Sequence, residues 1–262
     1  MTIRKFWVPT NPPHKLGETL AKNFFGTDLA FTNDAQAELG NTNLHYGILH
    51  GGKEFYARCK SSLKDFVHVD HGFWGRTDDL NSDKGHFRFS LNSQANVLRR
   101  TSHGVDHDRL LGFMKQGLVE FAPRRPRDDK KIIVFQPPSI HMREFWALTE
   151  DFNTCVLKAL REKYPTPVVT IEKGLKRPPD DQVWMSVSFN SASMFEALQK
   201  GQEAMSCWPV SPWPFESPAL DDVQWSECRT EVFSYMAGRT FSMDEMKSGR
   251  ALFDMLNNGE IP

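Results

Sequence analysis

Short apolar runs alternate with amphipathic segments through the first half of the chain. The runs have the length and the aromatic or branched content of β-strands. The predicted strands are Arg4–Val8, Leu44–Leu49, Phe66–Val69 and His86–Leu91. Gly51–Lys64 carries Phe55, Cys59 and Leu63 four residues apart, which predicts a helix, and a second helix is predicted over Arg109–Val119. Strands separated by helices indicate a parallel sheet.

The second half repeats this alternation more regularly. A polar, proline-broken segment, 123–130, is typical of a linker, and the apolar run Lys131–Phe135 after it predicts a strand buried on both faces. Gly201 stands where a glycine is expected just beyond a helix end. Further predicted elements are the strands Pro167–Ile171, Gln182–Ser188 and Ala204–Cys207 and the helices Asp151–Lys163, Ser191–Lys200, Asp221–Met236 and Ser242–Asn257. We therefore predict an α/β protein with two Rossmann-like domains, 1–122 and 131–262, the second closing with helices.

Composition narrows the class of protein. The 262 residues are 39% hydrophobic and 25% charged, which is typical of a globular chain, and no apolar run approaches the roughly 20 residues that cross a bilayer. The first residues lack the pattern of a signal peptide. We therefore expect a cytoplasmic location. The four cysteines are widely separated, so we expect free thiols and no zinc motif.

Charge is balanced overall but uneven along the chain. The net charge is −1, which creates no general attraction for nucleic acid. The segment from Arg99 to Lys131 holds nine Lys or Arg residues against five Asp or Glu residues, a local charge of +4. Such a stretch could follow a DNA backbone. Basic linkers are also common without any ligand, and both interpretations stay open here.

The strongest candidate for chemistry is the junction between the strand ending near Ser188 and the helix that follows. Asn190, Ser191 and Ser193 are small polar residues at the predicted helix start, where free N–H groups and the helix dipole favour a phosphate. Glu196 is one turn further and could accept the hydroxyls of a ribose. A structural alternative is equally concrete, since Ser193 and Glu196 also have the spacing of a capping box.

A second candidate follows the predicted strand Phe66–Val69. Asp70 or His71 could take a proton as a general base, Gly72 would allow close approach of a ligand, and Arg76 could offset phosphate charge. The alternative is a polar turn whose aromatic residues, Phe73 and Trp74, pack inward.

Histidines supply two weaker candidates. His50 and Gly51 stand at another strand end and are a third acceptor-side candidate, although a lone histidine is more often a hydrogen-bonded loop residue. His103 and His107 have the spacing of metal ligands on a helix, but Gly104 weakens a helix there and no third ligand follows. We predict no metal site.

Several of these segments resemble the GT-B glycosyltransferases. The strand followed by Asn190-Ser191, a small residue, Glu196-Ala197-Leu198 and Gly201 is similar to the nucleotide-sugar segment of that family. The strand and turn 132–139 and the strand with a basic loop, 170–178, occur in the same order. Segments 46–52 and 66–76 resemble small glycosyltransferase-like proteins of bacteriophages. Gln202, Glu203 and Ala204 depart from the pattern, since the family often has a proline and an aliphatic residue there.

The resemblance implies two domains that face each other across a cleft, with the donor bound mainly by the second domain. It implies a metal-independent enzyme without a cofactor, in which the nucleotide-sugar is a co-substrate. It adds Ser139 and the basic run of Lys173, Lys176 and Arg177 to the residues expected to reach the donor phosphates, although such charge runs are usually only solvated.

The phage-like segments imply an acceptor in DNA, best guessed as a hydroxymethylated pyrimidine. An enzyme acting on a base must take it out of the stack, and Trp74 could hold the flipped base. Transfer to a glycan, a protein or a small molecule remains an alternative, as does a protein of this fold that binds a nucleotide or a partner without catalysis.

Overall fold

The structure is a computed structural model that describes residues 5–7, 30–32, 42–46, 52–75, 85–91, 106–172, 175–189, 191–207 and 217–248. These residues fall into two compact units. Those within Met1–Val97, Thr101–Gly112 and Ser234–Pro262 form the first unit, and those within Phe113–Phe233 form most of the second.

The described elements alternate between strand and helix along most of the chain. The strands are β1 Lys5–Trp7, β2 Ala30–Thr32, β3 Thr42–Tyr46, β4 Asp65–His71, β5 His86–Leu91, β6 Ile132–Gln136, β7 Val168–Thr170, β8 Val183–Ser188, β9 Glu203–Ser206 and β10 Thr240–Ser242. The helices are α1 Gly52–Ser61, α2 His107–Lys115, α3 Ile140–Phe145, α4 Phe152–Lys163, α5 Ala192–Gln199, α6 Asp222–Gly238 and α7 Met243–Lys247. Short 3₁₀ helices span Asp180–Gln182 and Ser217–Ala219.

The sheet of the first unit has six strands in the order β10-β5-β4-β3-β1-β2. Strands β1 to β4 pair in parallel, and β5 pairs antiparallel to both β4 and β10. On β4, Phe66, Val67 and Val69 are buried, as is Phe87 on β5. The buried apolar side chains explain why this stretch forms central strands.

The sheet of the second unit is parallel throughout, in the order β7-β6-β8-β9. One face packs on α4: Phe135, Met185 and Val187 lie in one cluster with Leu160 and Tyr164. Successive residues of a strand point to opposite faces. Ser186 and Ser188 therefore lie on the other face of β8, with Val134 of β6.

The predicted α/β class is confirmed, with a fully parallel sheet in the second unit and a mixed sheet in the first, where β5 turns back along β4. Most element boundaries agree within a few residues. Strand β10 was not predicted, because three residues carry too little periodicity. It pairs with β5, so the chain after Phe233 groups with the first unit and does not follow the predicted domain 131–262. The predicted helix Ser242–Asn257 is described only as far as α7, and its remainder lies outside the described residues.

Candidate functional site

The sheet of the second unit changes winding direction at β6. From β6 the chain crosses to β7 on one side, and it then returns to β8 on the other side. In parallel sheets, ligands bind at the carboxyl ends of the strands where the order reverses. The carboxyl ends of β6 and β8 are Gln136 and Ser188, which are paired in register.

A cavity of about 230 Å³ opens at this point. Its walls combine apolar side chains of the strands with polar groups from the helix start and from the segment after β7. The lining residues are Val134, Gln136, Ile171, Glu172, Leu175, Arg177, Ser186, Val187, Ser191, Ala192, Ser193 and Glu196. An apolar pocket with a few convergent polar groups is the usual form of a small-molecule site.

Helix α5 begins at this cavity, and Ser191 is its N-cap. The Ser191 hydroxyl accepts the Ser193 N–H at 3.3 Å and donates to Gln136 Oε1 at 3.3 Å, which joins the ends of β8 and β6. The capping box between Ser193 and Glu196 is therefore wrong, since the helix starts two residues earlier. The Glu196 carboxylate takes no part in capping and lies on the cavity wall.

Ser188 Oγ at the end of β8, Ser193 Oγ on α5 and Arg177 Nε in the segment after β7 are buried without a hydrogen-bond partner among the described residues. Trp184 Nε1, at the start of β8 and outside the cavity lining, is a fourth such atom. Buried polar groups are nearly always paired, so each exception calls for a ligand or a water. Two of these residues, Arg177 and Ser193, line the cavity.

Arg177 is the basic residue among the described lining of the cavity. Its Nη2 donates to Ser186 Oγ and, at 3.3 Å, to Gln202 Oε1, and it forms no ion pair with a described residue. Arg177 belongs, with Lys173 and Lys176, to the basic run that was expected to reach the donor phosphates. Its position in the basic loop after β7 indicated a ligand-binding role. The planar, always charged guanidinium also distinguishes Arg177 from the lysines of that loop.

Two of the other predicted donor-binding residues, Ser139 and Lys176, are described and do not line the cavity. Lys176 is exposed and does not line it. Ser139 caps α3, accepting the Met142 N–H at 3.4 Å. Lys173 and Asn190 lie outside the described residues.

In the first unit, Asp70 and His71 end strand β4. Arg88 of β5 donates to Asp70 Oδ2 at 2.8 Å, and the His71 backbone N–H donates to Oδ1 at 2.8 Å. Burial raises the pKa of Asp70, but the charges of Arg88 and His68 and these two hydrogen bonds outweigh it and lower the pKa to about 2. The His71 ring is half-buried and stacks on Phe87.

The acceptor-side predictions have mixed outcomes. Gly72 donates its N–H to His86 O at 2.7 Å, and a Cβ there would lie 2.7 Å from the same oxygen, so this glycine serves strand packing. Trp74 is only 7% exposed and packs inward, which is the structural alternative and leaves no open ring face for a flipped base. His50, Gly51 and Arg76 lie outside the described residues.

Three arginines in the described part of the basic stretch, Arg124, Arg125 and Arg127, are engaged within the protein. Arg124 bonds Glu203 at 2.8 Å and Asp222 at 2.9 Å, Arg125 donates to Asp180 O at 2.6 Å, and Arg127 bonds Asp129 at 2.8 Å. The three arginines line a second, larger cavity of about 490 Å³. Three acidic residues, Glu203, Asp221 and Asp222, line the same cavity. Because these arginines already bond protein groups, they are poorer candidates for binding a DNA backbone along the segment.

Two further expectations concern metals and membranes. His103 lies outside the described residues, and His107 Nδ1 is 2.8 Å from Ser234 Oγ. Where the chain is described, no cluster of three metal-ligating side chains occurs. None of the described helices is both long and apolar enough to cross a bilayer.

A parallel α/β sheet with a cavity of mixed polar and apolar lining at its switch point is typical of Rossmann-like folds. Two solved structures from Thermosulfurimonas dismutans share the fold over nearly the whole chain. KpsC, beta Kdo 2,7 transferase, has a TM-score of 0.50 and 13% identity, covering 96% of this chain and 99% of its own. KpsC, beta Kdo 2,4 transferase, has a TM-score of 0.50 and 10% identity, covering 98% of both chains.

At such identities the likeness establishes the fold alone. No protein-family model matches the sequence, and no curated protein matches it significantly.

Proposed function

We propose that this protein is a glycosyltransferase that binds the nucleotide part of a nucleotide-sugar in the cavity between β6, β8 and α5. The observation that carries the proposal is the position of this cavity at the switch point, beside a helix start and three unpartnered buried polar atoms. The shared fold of two proteins named as Kdo transferases supports the same class of reaction.

The chemistry follows from the polar groups at the helix start. In sugar transfer the bond from the anomeric carbon to the phosphate oxygen breaks, and the acceptor oxygen bonds to that carbon. Negative charge collects on the departing phosphate. The N–H groups and dipole at the start of α5, with the hydroxyls of Ser191 and Ser193, would stabilise that charge. Glu196, on the same wall, would accept hydroxyls of the ribose.

The acceptor gives its proton to a base when the reaction inverts the sugar. Asp70 and His71 were both predicted for this role. Asp70 is a weak base because its pKa is about 2, and a general base works best with a pKa near the working pH. We therefore assign the role to His71, because an imidazole is the side chain that most often serves as a general base. The ion pair of Asp70 with Arg88 would then hold the strand end.

A glycan, protein or small-molecule acceptor fits these observations better than a hydroxymethylated pyrimidine in DNA. The DNA proposal needs free arginines along the segment and an open aromatic face, whereas Arg124, Arg125 and Arg127 are paired and Trp74 is buried. The alternative of a non-catalytic binding protein shares the donor cavity and differs only in turnover.

Binding is tested by a thermal-shift panel of nucleotide-sugars that includes nucleotide-activated Kdo. A ligand of the folded state raises Tm in proportion to ln(1 + [L]/Kd). We expect Glu196→Ala to weaken the best ligand about tenfold, equivalent to about 1.4 kcal/mol, with no change in the Tm of the free protein. Glu150→Ala, which removes an exposed carboxylate away from the cavity, is the control. A panel without any stabilising nucleotide or nucleotide-sugar would contradict the proposal.

Turnover separates the enzyme from the binding protein. With the best donor and a panel of hydroxyl acceptors, wild-type protein should release the nucleotide, and His71→Gln should stop release while leaving donor affinity unchanged. Donor binding without release on any acceptor would favour the non-catalytic alternative.

A further inference from the structure

Arg177 has an unusual position for a charged residue. It is half-buried, forms no ion pair with a described residue, and reaches the cavity across the face of β8. Its Nε is buried without a partner. A guanidinium carries five N–H donors and no acceptor, so the remaining donors need acceptor atoms of a ligand or of water.

Two buried residues fix the position of this guanidinium by accepting hydrogen bonds from it. Ser186 Oγ and Gln202 Oε1 both accept from Arg177 Nη2, and both side chains are almost completely buried. The Gln202 amide is itself oriented, because its Nε2 donates to Asp180 O at 3.0 Å. Gln202 stands in the segment where the GT-B family often has a proline and an aliphatic residue. Its hydrogen bond with Arg177 explains why a polar residue occurs there.

The location of Arg177 separates it from the start of α5. Ser186 lies two residues before the end of β8, which is about 7 Å along the strand at 3.3 Å per residue. Apolar side chains of Val134 and Ile171 line the same cavity. Phosphate oxygens at the helix start and ribose hydroxyls at Glu196 would leave the flat, partly apolar nucleobase in this deeper part.

We propose that Arg177 binds an acceptor atom of the donor's nucleobase, a carbonyl oxygen or an unprotonated ring nitrogen, and that Gln202 is its positioning residue. This inference rests on the proposed function, since it assumes that a nucleotide occupies the cavity. It assigns Arg177 to the base and not to the phosphates.

Paired ligands with and without phosphate test the assignment. The four ribonucleoside 5′-diphosphates are screened by calorimetry, and the best one is compared with its parent nucleoside on wild-type protein and on Arg177→Met. We expect the substitution to weaken both ligands by the same factor, about 10- to 100-fold, as loss of a charged hydrogen bond of about 1.5–3 kcal/mol predicts. Arg161→Met, the same substitution at an exposed position of α4 outside the lining, is the matched control and should change neither affinity.

A loss confined to the diphosphate would place Arg177 at the phosphates and overturn the assignment, as would unchanged binding of both ligands. Failure of every nucleotide to bind wild-type protein is a different result, because it contradicts the proposed function itself.

Gln202 is tested through its coupling to Arg177. Gln202→Leu should weaken the same ligand several-fold in the wild-type background and have no effect in the Arg177→Met background. A merely structural role would give the same loss in both backgrounds and would overturn the positioning role. Circular dichroism and Tm of each free variant verify that it is folded.

Discussion

Arg88 lies directly opposite Asp70 across the antiparallel pair β4 and β5, with Nη2 2.8 Å from Oδ2. The two residues are 18 positions apart in the chain and share one face of the sheet. Arg88 also lies over the ring of Phe73, 4.8 Å from its centroid, so the pair connects the strand end to the turn that follows. The guanidinium of Arg88 therefore stabilises the ionised form of the Asp70 carboxylate.

The ion pair predicts a pH-dependent contribution to stability. The pKa of Asp70 falls from an ordinary 3.8 to about 2 in the folded protein. The stabilisation is therefore complete above the unfolded pKa and is lost as pH falls through the folded one. Asp70→Asn should lower the free energy of unfolding near pH 7 by on the order of 1–2 kcal/mol, allowing for solvent screening of a partly exposed pair.

Urea unfolding of wild-type protein and Asp70→Asn over a range from about pH 7 to about pH 3 measures this effect. The difference between the two proteins should shrink below about pH 4. A difference that stays constant down to the lowest pH would show that the carboxylate of Asp70 titrates normally.

Local patterns were sufficient for the elements that form the donor cavity. The apolar run ending at Ser188, the small polar residues after it and Gly201 beyond the helix all act within about 15 residues of chain, where periodicity and capping signals are strong. The same signals could not decide which serine caps α5. Ser191 is the N-cap because its hydroxyl also reaches Gln136, a contact with a different strand.

Contacts between distant parts of the chain account for what sequence reasoning missed. Arg88 and Asp70 meet only because β5 turns back along β4, and Gln202 meets Arg177 only because β8 and β9 are neighbours. A charge count of +4 likewise could not show that Arg124 has carboxylate partners 79 and 98 positions away. Pairing of this kind is set by topology and leaves no local pattern.

The pairing of Arg124 predicts a role in stability. Glu203 is only 4% exposed at its side chain and binds Arg124 Nε at 2.8 Å. Arg124→Met should lower the free energy of unfolding by about 3–5 kcal/mol, because breaking a buried pair leaves a carboxylate without its cation. Arg127→Met is the control, since the pair of Arg127 with Asp129 is about half exposed and should contribute less than about 1 kcal/mol.

Chemical denaturation measures the free energy of unfolding of both variants, and their affinities for duplex and single-stranded DNA are measured in parallel. If this segment binds a DNA backbone, both variants should instead be as stable as wild-type protein and should bind DNA with similarly weakened affinity. That outcome would restore DNA as the favoured acceptor.

Arg109 ties α2 to the elements around β10. Its guanidinium bonds both oxygens of Glu245, at 2.7 and 2.6 Å, and donates to Thr240 O. Arg109→Lys should cost about 1–3 kcal/mol, because an ammonium cannot reproduce a two-pronged contact with a carboxylate. Lys115→Arg, at an exposed position of the same helix, should have no effect. Equal unfolding midpoints for the two conservative swaps would contradict the proposed tie.

Gly201 combines a left-handed backbone conformation with a close contact. Its φ is +74°, a left-handed conformation that glycine adopts readily, and a Cβ there would lie 1.9 Å from Pro123 O. The segment before β6 is held here by hydrogen bonds from Ala122 N to Gln199 O and from Arg125 N to Gly201 O. Gly201→Ala should therefore push this segment away from α5 and lower the free energy of unfolding by more than about 3 kcal/mol.

Gly112 supplies the opposite case within the same chain. It lies inside α2, and a Cβ there would meet no atom within 4 Å. Gly112→Ala should raise the free energy of unfolding by about 0.5–1 kcal/mol, since alanine loses less backbone entropy in a helix. Parallel urea titrations of the two variants compare the same chemical change at a strained and at an open position. If Gly201→Ala unfolds at the same urea concentration as wild-type protein, the segment 122–125 does not pack on the end of α5 as the structure has it.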